Sequence, residues 1–243
     1  AHVIRLEQVD STNSRASQLI QNGGAAEGTV ILAEYQSGGR GQKGNTWESE
    51  KGMNLTFSFV LMPSFFKADR HFYLLMSVSL AVLDLLQQEG ITARIKWPND
   101  MMVSGRKIGG ILIENALKGH SLTSSVVGIG LNVNQTRFAV TGITPTSLKQ
   151  ELGVPVDREQ LVRRALVHLT VWMNRLYAGE WKRIRADYLK HLFQFGQWAR
   201  YADSGGEFRG RIRGVLEGGG LSVEKQHGGL HHYSFREIEY RPD

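Results

Sequence analysis

The chain has no cysteine among its 243 residues, and this absence excludes several kinds of chemistry. A disulfide framework, a thiolate nucleophile and zinc ligation by cysteine all require a thiol. The lack of cysteine fits a reducing compartment, so we predict a cytoplasmic protein. The length by itself allows one or two domains with a sizeable core.

Long apolar runs and dense basic clusters are also missing. The longest largely apolar stretch, residues 72–86, contains Asp84. It is too short to cross a bilayer, so it predicts a buried helix and no membrane partner. The net charge of +6 and the pI near 9.6 indicate an anionic partner. Because no dense lysine and arginine cluster is present, a nucleotide and an acidic protein are candidates beside nucleic acid.

Proline is scarce, with five residues, whereas glycine is abundant, with 28. The densest cluster is the glycine loop, residues 35–47, whose glycines surround two cations and precede an aromatic residue: Gly38, Gly39, Arg40, Gly41, Lys43, Gly44 and Trp47. Glycine permits close approach of a ligand to the backbone, and the cations attract anions. The loop therefore predicts an anion-binding site, although a mobile hairpin has the same composition.

Three familiar nucleotide-binding motifs do not explain the glycine loop. Residues 39–44 match G-x-G-x-x-G, but that motif opens a helix in dinucleotide-binding folds, whereas here a strand is predicted from Asn54. The H-R-D and D-F-G motifs of protein kinases are absent from the sequence. A P-loop would require Gly-Lys-Ser/Thr, which is also absent.

The hydrophobic pattern predicts an α+β fold with a mixed, largely antiparallel sheet backed by helices. The predicted strands cover residues 3–9, 29–35, 54–62, 93–97, 101–103, 107–114 and 125–133. The predicted helices cover residues 14–20, 70–89, 157–179 and 181–192, the third with Asp157 and Gln160 as a capping box.

The character of the chain changes near residue 195. Four short segments rich in β-formers follow, at residues 198–202, 208–215, 221–225 and 230–235, separated by glycine-rich turns. This spacing predicts a small all-β barrel. We therefore predict two domains, residues 1–194 and residues 195–243.

Two further segments concentrate groups that bind anions. Residues 96–100 (KWPND) place a cation, an aromatic ring, an amide and a carboxylate at one predicted strand end. Lys107 lies beside Gly109 and Gly110 on an otherwise apolar strand, where its charge needs an anion or a pKa shift. An exposed hairpin end is the alternative for Lys107, and a simple helix cap is the alternative for the polar residues 11–13.

Five motifs together resemble those of biotin protein ligases, in the order of that family. They are residues 10–13, 39–47, 96–100, 107–114 and 128–134, within a similarity that spans residues 7–148. Many members of the family carry arginine where this chain has Gln42. The resemblance implies a class II synthetase-like catalytic domain followed by an SH3-like domain, in the monofunctional type of ligase that lacks an N-terminal DNA-binding domain.

The resemblance also implies an ATP-dependent reaction with Mg²⁺ as cofactor. Biotin and ATP give biotinyl-5′-AMP, and a lysine of a biotin carboxyl carrier protein or domain then takes the biotin. Arg40 and Lys107 are implied as the catalytic cations, and Asp100 as the metal-binding carboxylate. Closure of the glycine loop over the adenylate would exclude water.

The implied biotin-binding residues are Ser11, Thr12, Asn13, Gln36, Gly39, Arg40, Gly41, Gln42, Lys107, Gly110, Ile111, Leu112, Gly128 and Gly130. The implied ATP-binding residues are Arg40, Lys43, Trp47, Lys96, Asn99, Asp100 and Asn132. Surface positions, rather than metal sites, are expected for His227, His231 and His232 because no carboxylate or cysteine accompanies them.

Alternative functions remain at this stage. A lipoate or octanoate ligase on a related scaffold is the nearest, and a nucleotide-binding module without catalysis is another. Because the chain begins at the first predicted catalytic strand, we expect no sequence-specific nucleic-acid binding. A homodimer is compatible with exposed strand edges, which the sequence alone does not resolve.

Overall fold

The computed structural model describes residues 2–63, 70–119, 121–139 and 142–241. The first sheet is built from β1 (Val3–Leu6), β2 (Val30–Ala33), β3 (Leu55–Leu61), β4 (Arg94–Lys96), β5 (Asp100–Val103), β6 (Arg106–Lys118) and β7 (Ser121–Leu131). The second is built from β8 (Trp198–Asp203), β9 (Gly206–Val215), β10 (Leu221–Lys225), β11 (Gly229–Tyr233) and β12 (Glu239–Tyr240). The helices are α1 (Thr12–Gln21), α2 (His71–Gln88), α3 (Leu148–Leu152), α4 (Arg158–Tyr177) and α5 (Trp181–Lys190).

The first sheet has seven strands in the order β1-β2-β3-β7-β6-β5-β4. Only the pairing of β1 with β2 is parallel among its ladders. The prediction of a mixed, largely antiparallel sheet is therefore confirmed. Successive strand residues alternate between the two faces, so Val126 packs with Ala16 of α1 on one face and Val127 joins the main core on the other.

Helix α2 is the central helix of the main core. It is apolar on nearly all sides because the sheet covers one side and α4 and α5 cover others. Its single acid, Asp84, accepts a hydrogen bond from Trp172 Nε1 at 2.7 Å, which satisfies a polar group beside the core. The predicted helix over residues 70–89 is thus confirmed.

Local signals in the sequence correctly mark several element ends. Asp157 is the N-cap of α4, where its carboxylate accepts backbone N–H groups of Glu159 and Gln160 at 2.9 and 3.2 Å. The Gln160 side chain donates to the Asp157 carboxylate, so the reciprocal bond of a capping box is not formed. Ser104 and Gly105, both with positive φ, form the tight turn between β5 and β6.

The C-terminal sheet has five antiparallel strands in the order β11-β10-β9-β8-β12. The four predicted strands are confirmed, and the sheet is consistent with an SH3-like module. The sheet is not a closed barrel, because its hydrogen-bonded order begins at β11 and ends at β12 without a pairing between these two strands. Strand β12 has two residues, both of which pair with β8. It is too short to form a stable second ladder with β11.

One hydrophobic core extends through both sheets. The same cluster of buried residues contains Ile95 of β4, Tyr188 of α5 and Ile212 of β9. Backbone bridges join Ile95 to Leu192 and Phe195 to Ile212, so the segment after α5 touches both sheets. A domain boundary at residue 195 stays a prediction. In the described part of the chain, no helix is long and apolar enough to cross a membrane.

Candidate active site

A cavity of about 680 Å³ lies over the α1 face of the first sheet. Its walls come from the start of α1, the glycine loop, the residues around β4 and β5, and the end of the C-terminal sheet. Because Gly128 and Gly130 alternate with inward-facing Val127 and Ile129, they share a face with α1. The sheet thus presents bare backbone where it meets the cavity.

Two glycines of β7 are required by their neighbours. A Cβ atom at Gly128 would lie 2.4 Å from Asn13 Oδ1, and one at Gly130 would lie 2.5 Å from the ring of Trp47. Gly130 also stands directly opposite Gly110 on β6. Only glycine allows the Trp47 ring and the α1 side chains to come this close to the sheet.

A buried polar cluster occupies the α1 end of the cavity. Gln36 Oε1 accepts hydrogen bonds from the backbone N–H and the hydroxyl of Thr12, at 2.8 and 3.0 Å. Ser58 Oγ lies 2.7 Å from Thr12 Oγ1 and 2.6 Å from Asn13 Oδ1. Ser11 is the N-cap of α1, yet its side chain makes no capping bond. The simple cap interpretation therefore does not account for these side chains.

Glu114 joins this polar cluster to the glycine loop. One of its carboxylate oxygens, Oε2, accepts from Asn13 Nδ2 at 2.8 Å and from the Arg40 guanidinium at 2.7 Å. Asn13 Nδ2 also donates to the Leu112 carbonyl at 3.3 Å. With both of its N–H groups engaged there, the Asn13 amide must direct its oxygen toward Ser58 and Gly128.

The glycine loop is a folded hairpin. The N–H of Gly41 donates to the Asn45 carbonyl at 2.7 Å, and the N–H of Trp47 donates to the Gly39 carbonyl at 2.9 Å. Between them, Gln42–Gly44 form one turn of 3₁₀ helix. This hairpin places Arg40 and Trp47 on the cavity wall.

Two lysines and a carboxylate also line the cavity: Lys96, Lys107 and Asp100. Lys107 Nζ lies 2.6 Å from Asp100 Oδ1, and the lysine is 31% exposed. Lys96 stands opposite Asp100 in the β4–β5 ladder, with its ammonium 4.8 Å from the centre of the Tyr240 ring. Burial lowers the pKa of Lys96; the Asp100 charge opposes this shift and the Lys107 charge reinforces it.

Most residues implied by the resemblance come together in this cavity. Those that line it are Ser11, Thr12, Asn13, Gln36, Arg40, Gly41, Gln42, Trp47, Lys96, Asn99, Asp100, Lys107, Gly110, Ile111, Leu112, Gly128 and Gly130. Gly39 lies beside it, where a Cβ would meet the Trp47 carbonyl at 2.3 Å. Asn132 is buried and donates to the Thr146 carbonyl at 2.9 Å, away from the lining. The side chain of Lys43 lies outside the described residues.

Several lining residues had no role assigned from the sequence. They are Asn45, Thr46, Trp97, Pro98, Ile129, Ile143, Phe235, Arg236, Ile238, Glu239 and Tyr240. The last five come from β12 and from the turn between β11 and β12, and nothing in their local sequence shows that they face a cavity of the first sheet. Glu114 was also given no role, although it is the last residue of the motif at residues 107–114. Its place in that motif is the signal that could have identified it.

The histidines of the C-terminal sheet have protein partners. His232 Nδ1 lies 2.9 Å from Ser222 Oγ, and His231 Nε2 lies 2.7 Å from the Gly228 carbonyl. Across the described residues, no group of three or more histidine, aspartate or glutamate side chains is arranged to hold a metal ion.

Known proteins resemble this chain along nearly its whole length. A biotin–[acetyl-CoA-carboxylase] ligase of Paracoccus denitrificans is 31% identical over 223 residues, which cover 89% of this chain and 91% of that protein. The bifunctional ligase/repressor BirA of Bacillus spizizenii is 29% identical over 230 residues, covering 93% of this chain and 70% of the relative.

Solved structures give the same result for the fold. The biotin protein ligase of Aquifex aeolicus, solved in complex with biotin and ATP, superposes with a TM-score of 0.82 at 27% identity. The superposition covers 100% of this chain and 99% of that one. Residues 6–132 match the sequence profile of the biotin/lipoate A/B protein ligase family. The profile match, the long alignment with the Paracoccus ligase and the shared fold lead to one conclusion: this chain belongs to the biotin/lipoate A/B protein ligase family.

Proposed function

We propose that this protein joins biotin to an acceptor protein in two steps at the cavity described above. Biotin and ATP first form biotinyl-5′-AMP and pyrophosphate, and a lysine of a biotin carboxyl carrier domain then receives the biotin. The relatives named as biotin ligases support this assignment. The observation that carries it is that a polar cluster and three cations line the same cavity, beside the glycines of β6 and β7.

The first step brings two anions together. A carboxylate oxygen of biotin attacks the α-phosphorus of ATP, the bond from that phosphorus to the β-phosphate oxygen breaks, and pyrophosphate leaves. Lys96, Lys107 and Arg40 line the cavity and offset the repulsion between the reactants and the charge that develops on the phosphate.

The polar cluster at the α1 end suits the head group of biotin. The ureido ring offers two N–H donors and one carbonyl acceptor, all of which need partners once buried. Thr12, Asn13 and Gln36 offer hydroxyl and amide groups there, with the Asn13 oxygen oriented by Glu114. An acid that lacks the ureido ring would form fewer hydrogen bonds with this cluster, which would favour biotin over such an acid.

Asp100 is the residue that would hold Mg²⁺. Proteins that bind Mg²⁺ with a nucleotide commonly supply only one or two carboxylates, and the phosphates and waters complete the octahedron. Asp100 offers one carboxylate on the cavity wall, which fits that arrangement. When bound, the ion would neutralise part of the phosphate charge.

The proposal also covers the protein's location and partners. We propose a cytoplasmic protein that does not bind nucleic acid. Two copies could pair through an exposed strand edge.

Pyrophosphate exchange into ATP tests the proposal directly. Biotin, lipoate and octanoate are offered separately, and we expect exchange with biotin alone. In the same assay Lys107→Ala should lower exchange by about 100-fold, because a fixed cation is lost from the developing charge. Exchange with lipoate or octanoate instead would assign the chain to the other branch of its family. Unchanged exchange in Lys107→Ala would contradict the role given to the three cations.

A further inference from the structure

Lys96 differs from Arg40 and Lys107 because no carboxylate holds its ammonium group. Arg40 lies 2.7 Å from Glu114, and Lys107 lies 2.6 Å from Asp100. Among the described residues, the Lys96 ammonium makes no hydrogen bond and no direct ion pair. The side chain is half-buried, so its charge has also lost part of its hydration. Another group must therefore stabilise this ammonium.

The group that the Lys96 ammonium contacts is the ring of Tyr240. The ammonium nitrogen lies over this ring, 4.8 Å from its centre. The face of an aromatic ring is its electron-rich side, so it attracts a cation placed over it. Burial raises the pKa of the Tyr240 hydroxyl well above its usual value, so the phenol is neutral. The contact is therefore a cation–π interaction and not an ion pair with a phenolate.

Other aromatic residues fix the position of the Tyr240 ring. Tyr240 pairs with Tyr201 in the ladder of β12 with β8, and the two rings meet edge to face with their centres 5.3 Å apart. The centre of the Phe193 ring lies 6.2 Å from that of Tyr240. The segment that leads into β12 also touches the first sheet, where Phe235 meets Trp97 at 6.1 Å. The ring thus has a fixed place that does not depend on the lysine.

We propose that Tyr240 is a positioning residue for nucleotide binding, whose ring holds the Lys96 ammonium ready for a phosphate group of ATP. This inference rests on the proposed function, which makes ATP a substrate. A ring face leaves the N–H donors of an ammonium without a protein acceptor. A phosphate oxygen can therefore bind Lys96 without first separating an ion pair, whereas Arg40 and Lys107 must each release a carboxylate.

The ring also keeps Lys96 away from a competing partner. Asp100 stands opposite Lys96 in the β4–β5 ladder, and its negative charge attracts the ammonium. An ion pair between them would withdraw the lysine from the nucleotide. A lysine side chain has many rotamers, and a contact that restricts them beforehand lowers the entropy lost when the phosphate binds. The ring contact therefore favours nucleotide binding in two ways.

A matched set of variants tests this role. Tyr240→Leu removes the ring, Tyr240→Phe keeps it, and Lys96→Ala removes the cation. The control is Phe208→Leu, because the Phe208 ring also lies under a lysine ammonium, that of Lys225 at 4.2 Å. Phe208 also packs against Tyr201, at 5.9 Å, but it does not line the cavity. The control thus removes the same kind of contact from the same sheet.

Nucleotide affinity is measured without any reaction. The probe is an ATP analogue in which a methylene group joins the α- and β-phosphates, so that pyrophosphate cannot leave. Calorimetric titration with this analogue works equally well for variants of low activity. Pyrophosphate exchange then gives the KM for ATP and the KM for biotin separately, and thermal unfolding gives the Tm of each variant.

We expect Tyr240→Leu to bind the analogue about tenfold more weakly, which corresponds to about 1.4 kcal/mol. Its KM for ATP should rise by a similar factor, whereas its KM for biotin should change by less than about twofold, because the polar cluster of the cavity is untouched. Tyr240→Phe should recover most of the lost affinity. Phe208→Leu should lower the Tm about as much as Tyr240→Leu and leave the analogue affinity unchanged.

A double-mutant cycle shows whether Tyr240 acts through Lys96. Lys96→Ala by itself should weaken analogue binding, because a cation is lost from the phosphate site. In that background Tyr240→Leu should have little further effect, since the ring no longer has a cation to hold. A structural role of Tyr240 alone would give additive effects.

Four results would overturn the inference. Unchanged analogue affinity in Tyr240→Leu would show that Lys96 needs no ring. A loss that persists in full in the Lys96→Ala background would mean that the ring contacts the nucleotide itself. Failure of Tyr240→Phe to recover affinity would assign the effect to the hydroxyl group, and an equal loss in Phe208→Leu would assign it to a weakened sheet.

A failure of the proposed function would look different. Absence of biotin-dependent exchange in the unmodified protein would reject biotin as the acid that is activated. The analogue titrations do not depend on that acid, so they would still test the roles of Lys96 and Tyr240.

Discussion

A single carboxylate oxygen of Glu114 serves two residues of the active-site cavity. Asn13 donates to it from the polar cluster, and Arg40 donates to it from the glycine loop, at 2.8 and 2.7 Å. Glu114 itself does not line the cavity. It is a positioning residue, because it sets the direction of an amide and of a guanidinium that do face the substrates.

We predict that Glu114→Gln lowers kcat/KM for biotin in pyrophosphate exchange by about tenfold. The glutamine amide keeps the shape of the side chain but removes the charge and can turn its own N–H groups toward Asn13 and Arg40. Glu207→Gln, in the exposed Arg200–Glu207 pair, is the control. If Glu114 acts through Arg40, its replacement should matter less in an Arg40→Ala background. Strictly additive effects would show that the two residues act independently.

Residue roles differ in how far the sequence predicts them. Lys107 was conspicuous because a charged residue stood on an apolar strand, and the structure pairs it with Asp100. Ser58 gave no such signal, since a serine in a strand is ordinary until its hydroxyl is found between Thr12 and Asn13. Glu114 belonged to a motif, but the distance along the chain to Asn13 and Arg40 hid its partners. Side-chain contacts between distant segments depend on tertiary packing, and the local sequence around each residue does not specify that packing.

Gly128 and Gly130 determine how strand β7 contributes to both the cavity and the core. They remove side chains from one face of the strand while Val127 and Ile129 keep the other face in the core. The strand therefore remains stable and still brings its backbone to the cavity. Alternation of small and large residues achieves both because neighbours in a strand point to opposite faces.

We predict that Gly128→Ala weakens biotin binding by at least about tenfold, because the new methyl group would lie 2.4 Å from Asn13 Oδ1 and displace that amide. Isothermal titration with biotin measures the change. The control is Gly214→Ala in β9, where a Cβ would approach only Arg185, at 3.9 Å. Thermal unfolding of both variants separates a binding defect from a folding defect. Equal biotin affinity in the two variants would contradict the close approach of α1 to β7.

Asp203 ties together three strands of the C-terminal sheet. Its carboxylate accepts from Lys225 Nζ at 2.7 Å and from the Tyr233 hydroxyl at 2.8 Å. These bonds, with that to Lys225 the largest contribution, lower the pKa of Asp203 to about 2. The carboxylate therefore contributes stability above its ordinary pKa near 4, and this contribution is lost as the pH falls toward 2.

We predict that Asp203→Asn destabilises the protein at pH 7 by about 1 kcal/mol. The difference in Tm between the variant and the unmodified protein should shrink as the pH falls from about 4 to about 2. Thermal unfolding followed by circular dichroism at several pH values measures both quantities. Glu207→Gln should show a much smaller difference at pH 7. A gap in Tm that persists unchanged at pH 2 would show that Asp203 acts through packing instead of charge.

Elements with strong periodicity were predictable, and closure of the small sheet was not. Helix α2 and strands β3 and β7 carry long apolar patterns, so their positions follow from local sequence. Strand β12 has two residues, too few to show any period. Whether the outer strands of a sheet meet depends on twist and on the chain between them, and short β-segments alone do not determine either.

At the scale of the whole molecule, the C-terminal sheet shares a core with the first sheet and contributes to the wall of the cavity. Phe235, Arg236 and Ile238, between β11 and β12, line the cavity together with both residues of β12. Ile212 packs in the same buried cluster as Ile95 and Tyr188. The Tyr188 hydroxyl donates to the Pro98 carbonyl at 3.2 Å, which links α5 to the turn before Asp100. Disturbance of either sheet should therefore be felt in the other.

We predict that Ile212→Ala lowers the free energy of unfolding by about 2 to 5 kcal/mol, because the fully buried side chain leaves a cavity in the shared core. Hydrogen exchange should show faster opening in β4 and β5 as well as in β8 and β9. Biotin with ATP should slow exchange in both sheets, since ligands stabilise the unit that binds them. Faster exchange confined to the C-terminal sheet would indicate two independently unfolding domains.

The pairing of Arg40 and Lys107 with carboxylates affects which anions can bind in the cavity. Arg40 and Lys107 already hold Glu114 and Asp100, at 2.7 and 2.6 Å. A free phosphate or sulfate ion would have to separate these ion pairs and would form few other contacts with the cavity. A nucleotide beside a carboxylic acid offers many contacts at once and can complete the exchange of partners. Because these two cations are already paired with carboxylates, a negative charge alone is not sufficient for a ligand to bind to them in the cavity.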